Sequence, residues 1–301
     1  MNRLACLVIL AGLALPQGAA AQDRDWIGSG RIFNNDVFGD GFDRWRTGSF
    51  SYSHNRARDG WSGTVPARPG DLLEYRLRAE IIAAQRGTTD RPYVGALSAG
   101  VFTHAEQGPL SYMLGAEATA IGSQTGLAGL QEAYHDTFGL PRPPTRRAVL
   151  ADDFTGSAYG AASYRVDLPG PVSLRPFASA QAGAEDLVRV GADVLVGQVG
   201  QDDLLLRDVV TGQLYRGTQD DYTRGVSWTV GADVAQVKDS YYLPESAGYL
   251  ATDTRARARA GVHWQPAPEI SFFYGVTYLS EEFEGQPEGQ VLGSLKLNFN
   301  F

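Results

Sequence analysis

The sequence predicts an all-β fold, a twelve-stranded antiparallel transmembrane β-barrel with a helix in one extracellular loop. The first observation behind this prediction is a strict alternation of residue types. From Leu73 to Ile81 every second residue is apolar and the residues between them are Glu or Arg, and the segment RARARAGVHW, which begins at Arg255, repeats the pattern. Each such segment would form a strand with one charged face and one apolar face.

Two further observations favour a membrane barrel over a soluble sandwich, whose strands alternate as well. The alternating segments run for about ten residues, which is the length that a tilted strand needs to cross a bilayer. The chain also ends in VLGSLKLNFNF, where Leu295, Leu297 and Phe299 alternate with polar residues before the terminal Phe301. This ending resembles the C-terminal assembly signal of outer-membrane barrel proteins.

The N-terminal segment is predicted to be a secretory signal peptide over residues 1–21, which leaves the barrel over residues 22–301. It combines the positive charge of Arg3 with an apolar run and three consecutive alanines before Gln22. The single cysteine, Cys6, falls inside it, so the mature chain would contain no disulfide and no thiolate metal site. Loss of the one charge of Arg3 takes the formal net charge from -8 to -9, without long runs of one sign, which argues against a nucleic-acid partner.

Twelve segments fit the strand pattern, and this even number would place both termini on the periplasmic side. The segments span residues 28–36, 45–55, 71–83, 94–104, 109–120, 157–168, 172–183, 186–198, 223–236, 254–265, 269–280 and 290–301. The Pro-containing links LPGPV and QPAPE then fall on the periplasmic side, where turns should be short. The segment GQDDLLLRDVVTGQLYRGTQDD, residues 200–221, falls on the same side and is too long for that rule.

The longest extracellular loop of this topology contains a helical pattern. The loops span residues 37–44, 84–93, 121–156, the turn at Gly183, 237–253 and 281–289. The pattern predicts a helix from Gln124 to Phe138, with Ser123 as its N-cap and Gly139 at its end. Its apolar stripe would lie on the barrel wall or in lipid and consists of Leu127, Leu130, Tyr134 and Phe138. Gln131 and His135 are four residues apart and share a face beside this stripe.

Acids and amides are concentrated in one stretch, FNNDVFGDGFDRWRTGSF, which begins at Phe33. Asp36, Asp40 and Asp43 offer hard oxygen ligands for calcium. Asp40 precedes a glycine and so also fits a turn, and Asp43 could simply pair with an arginine. Of the three, we assign a functional role to Asp36 only.

His135 is the candidate general base, because a neutral imidazole can accept a proton from water near neutral pH. A histidine on the surface of a helix is the alternative interpretation. The other three histidines, His54, His104 and His263, lie in strand segments and are interpreted as structural. No Gly-x-Ser-x-Gly motif occurs in the sequence, so water is favoured over a serine as the nucleophile.

Several short motifs, taken in order along the chain, resemble the outer-membrane lipid A 3'-O-deacylase family. They are Asn35-Asp36, Arg46-Thr47-Gly48, DRPYVGAL from Asp90 and Gln131-x-x-x-His135, and the C-terminal ending is also similar to endings in that family. The resemblance implies a twelve-stranded barrel with a calcium-dependent esterase site between its outer wall and a loop helix. That site would remove the 3'-linked acyloxyacyl chain of lipid A.

The resemblance also implies roles for individual residues. Catalytic positions of the family fall on Asn35, Asp36, Thr47 and His135, with Gln131 as their neighbour and Asp36 at the metal. The family uses a lysine in its second outward loop, where this chain has only Arg86 and Arg91. Because a guanidinium can bind phosphate through two donors, these arginines are assigned to substrate binding.

The sequence therefore predicts an outer-membrane esterase whose site faces the outside of the cell and whose partners are lipid A, lipopolysaccharide and membrane lipid. Calcium near Asp36 would stabilise the charge on the ester oxygen while His135 activates water. A passive pore or a structural barrel is the alternative from another class of protein, and a phospholipase-type barrel is the alternative enzyme. The rows of Glu and Arg predict a lumen crossed by ion pairs, which argues against the pore.

Overall fold

The computed structural model describes residues 24–61, 63–143, 145, 148–201, 203–218, 223–268 and 270–299. The predicted signal peptide and the terminal Phe301 lie outside the described residues. The strands are β1 (Arg24–Asn35), β2 (Trp45–Arg58), β3 (Leu72–Ala83), β4 (Val94–Gln107), β5 (Leu110–Ile121), β6 (Asp153–Tyr164), β7 (Val166–Leu168), β8 (Val172–Ala182), β9 (Glu185–Val196), β10 (Leu205–Arg207), β11 (Leu214–Arg216), β12 (Gly225–Ser240), β13 (Thr254–Ala267), β14 (Ile270–Leu279) and β15 (Gln290–Phe299).

These residues form a closed antiparallel barrel of twelve strands, which confirms the predicted fold. The short β7 continues the line of β6 against β8, while β10 and β11 form a separate hairpin. Neighbours around the barrel follow chain order, and the barrel closes where Phe33 of β1 pairs with Leu295 of β15. Each predicted strand corresponds to an observed one, although β6 begins at Asp153 rather than at residue 157.

The two ends of the barrel differ in their connections. We call the end that carries the loops of residues 36–44, 84–93 and 122–152 the upper end, and the end at which Arg24 lies the lower end. The lower end carries the short turn between β4 and β5, which contains only Gly108 and Pro109, and two long connections, residues 59–71 and 197–224. This distribution agrees with the topology predicted from alternation.

Charged side chains fill the lumen, as the alternating pattern predicts. Arg76 and Arg78 of β3 are buried inside the barrel, whereas Leu77 between them is 57% exposed on the outer wall. Arg76 Nε donates to Glu74 Oε1 (2.7 Å), and Arg78 Nη2 donates to Glu117 Oε1 (2.7 Å). A buried charge without a partner would destabilise the barrel, so these ion pairs explain how the lumen can contain many arginines.

The long lower segment folds back into the lumen instead of forming a periplasmic turn. We call residues 204–217, which include β10 and β11, the lumen hairpin. Leu204, Leu206 and Tyr215 of this hairpin are buried in a cluster whose other members are barrel residues: Ile27, Ile32, Ala57, Leu72 and Phe273. Arg257 of β13 donates to two carbonyl oxygens of the hairpin turn (2.8 and 2.9 Å). The hairpin thus packs its apolar side chains against apolar residues of the barrel, away from water. It also occupies the channel.

The loop between β5 and β6 carries helix α1 (Leu127–Phe138). It begins after Gly126 and not after the predicted Ser123, because Ser123 starts a separate 3-10 turn and its hydroxyl donates to Asp152 (2.8 Å). Gly139, with φ of 64°, ends the helix as predicted, since this left-handed conformation favours glycine. Within the described residues, no helix is long and apolar enough to cross a membrane.

The orientation of α1 distinguishes between the two alternatives for its apolar stripe, the barrel wall and lipid. Leu127, Gln131 and His135 form the buried face toward the barrel. Tyr134 and Phe138, two members of the stripe, are 51% and 64% exposed. Gln131 and His135 therefore lie between the helix and the barrel, and most of the apolar stripe is exposed.

Candidate active site on the outer wall

A groove of about 590 Å³ lies between α1 and the outer wall of the barrel, at the upper end. Most of its surface is apolar and includes Phe33, Phe42, Phe50, Ile81, Leu130 and Tyr134. Polar side chains reach it from the end of β1, the start of β2 and the buried face of α1. A largely apolar groove with a few converging polar groups has the character of a site for an amphipathic ligand.

Asn35 and Asp36 lie where β1 ends and the 3-10 turn Asp36–Phe38 begins. The side-chain Oδ1 of Asn35 accepts a hydrogen bond from the backbone N–H two residues later (2.9 Å), which caps the turn. The turn packs closely on β15, since a Cβ at Gly39 would lie 2.0 Å from the carbonyl oxygen of Val291. Only glycine fits there, and this close approach fixes the position of Asp36 at the groove.

Asp36 is buried beneath the start of β2. Its Oδ2 accepts a hydrogen bond from the backbone N–H of Arg44 (3.1 Å) and lies 3.2 Å from Oγ1 of Thr47. The pKa of Asp36 is raised to about 8, and burial is the largest cause. The negative charges of Asp43 and Asp40 raise the pKa further, whereas the hydrogen bonds from Arg44 and Thr47 lower it. The site thus concentrates negative charge in a poorly solvated place, where a bound cation would favour the ionised carboxylate.

Asp43 connects the residues of β2 with those of α1. Its Oδ1 lies 3.0 Å from Oγ1 of Thr47 and accepts a hydrogen bond from Nε2 of Gln131 (3.4 Å). Its Oδ2 lies 3.6 Å from Nε2 of His135. The sequence analysis considered Asp43 as a calcium ligand but assigned it no functional role, because its position after an Asp-Gly turn and before Arg44 fits a structural acid equally well.

His135 has a defined orientation under α1. Its Nδ1 lies 2.6 Å from the carbonyl oxygen of Pro141, which can only accept, so Nδ1 carries the proton. The Nε2 atom is then left as an acceptor beside Asp43 and the groove. This tautomer is the one that a general base requires, because the unprotonated nitrogen faces the place where a ligand would lie.

The oxygen atoms around Thr47 fit a calcium ion. Asp36 and Asp43 each place a carboxylate oxygen within 3.2 Å of the Thr47 hydroxyl, which has one proton and can donate to only one of them. Gln131 Oε1 is buried and accepts no hydrogen bond from any described residue. Carboxylate, amide and hydroxyl oxygens are the hard ligands that calcium prefers. In the described part of the chain no three His, Cys, Asp or Glu side chains are grouped to hold a metal, so a calcium site here would also need neutral oxygen atoms.

The two arginines assigned to substrate binding lie in different places. Arg86 is exposed and lines the groove. Arg91 is fully buried, and its Nη1 donates to Glu282 Oε2 (2.8 Å) within the ion-pair cluster of the barrel interior. The placement of Arg91 corrects the sequence assignment, because a guanidinium held by Glu282 away from the groove is not positioned to contact a ligand there.

Six of the seven predicted site residues line the groove: Asn35, Asp36, Thr47, Arg86, Gln131 and His135. The histidines interpreted as structural lie elsewhere. Nε2 of His104 is 2.8 Å from Glu74 in the lumen, and His263 packs against Phe273 with a distance of 4.5 Å between ring centres.

Comparisons with known proteins show similarity at the level of the fold. No family model matches the chain, and no curated protein matches it. Among solved structures, LpxR from Salmonella typhimurium superposes with a TM-score of 0.70 and 16% sequence identity, over 91% of this chain and 100% of that one. The β domain of the Bordetella autotransporter BrkA gives a TM-score of 0.48 with 11% identity, over 92% of this chain and 100% of that one. The translocator domain of NalP from Neisseria meningitidis gives 0.45 with 10% identity, over 98% and 92% of the two chains.

Proposed function

We propose that this protein is a calcium-dependent esterase that removes the 3'-linked acyloxyacyl chain of lipid A. The observation that carries the proposal is the convergence of Asn35, Asp36, Thr47, Gln131 and His135 on one groove of the outer wall. These residues come from three distant segments of the chain, and they are the positions to which the resemblance to the lipid A 3'-O-deacylase family assigns catalytic roles or which it places beside the catalytic residues. The fold similarity to LpxR supports the barrel framework on which the proposal depends.

The proposed location is the outer membrane of a Gram-negative cell, with the upper end facing outward. An apolar exterior supports this placement, since exposed side chains of the outer wall include Leu77, Leu114, Val190, Trp228, Val230 and Trp264. The groove opens on the same lipid-facing wall at the upper end. In this orientation it lies at the level of the outer leaflet, where lipid A resides.

His135 is the proposed general base. Its Nε2 accepts a proton from a water molecule whose oxygen attacks the ester carbonyl carbon, while the Nδ1 proton stays with the carbonyl oxygen of Pro141. The nearby carboxylate of Asp43 stabilises the imidazolium. The imidazolium then returns the proton to the departing sugar oxygen as the acyl C–O bond breaks, and the products are a free alcohol and a carboxylic acid.

Asp36 and the neighbouring oxygens of Asp43, Thr47 and Gln131 would hold a calcium ion, whose charge would stabilise the negative ester oxygen as it develops. Asn35 has its Oδ1 engaged by the backbone, so its amide NH2 group is the part that can donate to a ligand. A Cβ at position 48 would lie 3.1 Å from that Nδ2 atom, so Gly48 keeps this donor accessible.

Arg86 is the proposed contact for an anionic headgroup, because it is exposed at the groove and a guanidinium can bind phosphate through two donors. The passive-pore alternative is less compatible with the molecule, since the lumen hairpin and its ion pairs occupy the channel. The apolar groove on the outside has no role in a pore.

Mass spectrometry of lipid A from cells that express the protein, and from cells that express His135→Asn, tests the proposal. We expect the wild-type protein to produce lipid A that lacks one acyloxyacyl chain, with the loss on the 3' side, and the variant to leave lipid A intact. Intact lipid A together with lysophospholipids would instead identify a phospholipase. Unchanged lipids in both cultures, with folded protein present in the membrane, would refute the proposed esterase.

A further inference from the structure

Tyr93 lies beneath α1, on the outer side of the wall. Its backbone N–H donates to Ala148 (3.1 Å), and its carbonyl oxygen accepts from Leu150 (2.9 Å), so it is bound to the chain that returns from α1. The next residue, Val94, pairs with Ile82 and belongs to a buried cluster on the lumen side. Because side chains alternate along a strand, Tyr93 faces the opposite way, toward the helix.

The neighbouring glycine confirms this direction. Gly95 is on the same face as Tyr93, and a Cβ at Gly95 would lie 3.3 Å from Cβ of Leu127 in the first turn of α1. Gly95 also pairs with Ile81, whose side chain lines the groove. The phenol ring of Tyr93 is therefore enclosed between the wall and the buried face of the helix, and it does not itself line the groove.

The hydroxyl of Tyr93 is buried without a partner. Tyr93 is 2% exposed, and its oxygen makes no hydrogen bond to any residue that the structure describes. Burial, with smaller contributions from the charges of Asp43 and Glu132, raises the pKa of Tyr93, so the phenol keeps its proton and remains a donor. A buried donor left without an acceptor is costly, and such groups in native proteins usually have a specific role.

An acceptor without a donor lies in the same layer. Gln131 Oε1 is buried and has no hydrogen-bond partner among the described residues, while Nε2 of the same side chain is bound to Asp43. The charge of Asp43 also contributes to the raised pKa of Tyr93, more than the charge of Glu132 does. The buried layer between α1 and the wall thus contains one unused donor and one unused acceptor, and the side chain that carries the acceptor is bound to Asp43.

We propose that Tyr93 is a positioning residue of the site, whose hydroxyl donates a hydrogen bond to the Asp43–Gln131 pair, directly or through one bound water. This bond fixes the carboxylate that lies 3.6 Å from Nε2 of His135 and keeps the amide of Gln131 in one orientation. The inference rests on the proposed function for its effect on catalysis, but the hydrogen bond itself does not depend on it.

Tyr242 provides a matched control. It is also 2% exposed, and its hydroxyl likewise has no partner in the described part of the chain. Its ring, however, belongs to the lumen-side cluster with Ile82 and Val94. Tyr93→Phe and Tyr242→Phe therefore each remove one buried and unpartnered hydroxyl, from opposite sides of the same wall.

The first measurement is the rate of lipid A ester cleavage by purified, folded protein. We expect Tyr93→Phe to lower kcat by about tenfold with KM within about twofold of wild type, since the lost hydrogen bond positions groups that act on the bound ester. Tyr242→Phe should retain the wild-type kcat. A wild-type kcat in Tyr93→Phe, or an equal fall in both variants, would overturn the proposal.

The second measurement is a high-resolution crystal structure of the wild-type protein. We expect the Tyr93 oxygen within about 3.2 Å of Asp43, of Gln131, or of an ordered water that also contacts one of them. A Tyr93 oxygen without any of these neighbours would overturn the inference. If the wild-type protein cleaved no lipid A, the proposed function would fail while this measurement would still decide the role of Tyr93.

Discussion

The Nε2 atom of His135 lies 3.6 Å from Oδ2 of Asp43, although one residue belongs to a helix of the longest upper loop and the other to the loop before β2. The Asp43 carboxylate borders the groove between α1 and the outer wall. It also holds Gln131 and Thr47 through its other oxygen. Asp43 therefore links the proposed base to the proposed cation site, and the predictions below follow from this arrangement.

Replacing Asp43 with Asn should lower kcat for ester cleavage by roughly tenfold to a hundredfold, because the amide keeps the shape of the side chain and removes its charge. Asp40→Asn is the matched control, since Asp40 lies in the same loop and binds the backbone of Val291 and the side chain of Arg44. The rates of both purified variants should be compared with wild type. Equal losses in the two variants would show that loop structure, and not the position of Asp43, is responsible.

Replacing His135 with Asn should reduce ester cleavage by about a hundredfold or more, the usual contribution of a positioned general base. The barrel should still assemble and migrate as a heat-modifiable band on gels, because His135 contacts the loop and not the strands. Asp136→Asn is the control, since Asp136 is the next residue of α1, is exposed and does not line the groove, so this change should leave activity within a few fold. A folded His135→Asn protein with the wild-type rate would eliminate the proposed base.

Removing divalent cations with a chelator should abolish activity, and calcium should restore it better than magnesium. The reason is that Asp36, Asp43, Thr47 and Gln131 offer an irregular set of oxygens, which calcium accepts more readily than magnesium does. Asp36→Asn should also weaken the binding of calcium measured by isothermal titration. Full activity in excess chelator would contradict a cation requirement altogether.

Wild-type protein in planar lipid bilayers should show no steady open conductance, because the lumen hairpin occupies the channel. The hairpin borders a lumen cavity of about 340 Å³, so replacement of residues 204–217 by a short Gly-Ser linker should connect this space to both ends and produce discrete open currents. Tyr134→Ala, which retains the hairpin, should remain closed. Open currents from the wild-type protein would favour the pore interpretation.

Gly115→Ala should destabilise the barrel by about 1–3 kcal/mol, because an added methyl group would overpack the lumen. A Cβ at Gly115 would lie 2.1 Å from Cδ1 of Phe102, which is almost completely buried. At Gly160, on the neighbouring strand, the nearest atom would be Cδ2 of Leu114 at 3.5 Å, an ordinary contact. Urea unfolding followed by tryptophan fluorescence should therefore separate Gly115→Ala from Gly160→Ala, and similar midpoints would show that the Phe102 ring yields easily.

The alternation of residue types was sufficient to predict the strands and the topology. In segments such as Leu73 to Ile81 apolar side chains face outward to lipid and charged side chains face the lumen. The residue type at each position therefore indicates the direction of its side chain. The lumen hairpin could not be predicted in this way. Its apolar residues, among them Leu206 and Tyr215, are buried against distant strands, and a short apolar run does not indicate where it is buried.

The orientation of α1 was not predictable from its sequence for a related reason. In a soluble protein an apolar stripe packs against the core, whereas at a lipid-facing wall the same stripe can face lipid or a groove. Tyr134 and Phe138 remain exposed, and Gln131 and His135 are buried because Asp43 and Pro141 provide polar partners beneath the helix. Asp43 received no role from the sequence because Gln131 and His135, which lie beside it, come from a segment far away in the chain.

The position of the groove on the outer wall also determines which concentration of substrate sets the reaction rate. A lipid would reach Asp36 and His135 by lateral diffusion within its own leaflet, and the plugged lumen offers no competing route. Encounter then occurs in two dimensions, so the rate depends on the mole fraction of substrate in the surface and not on its amount per volume of buffer. Added inert detergent would slow the reaction by surface dilution while the bulk concentration of substrate stayed constant.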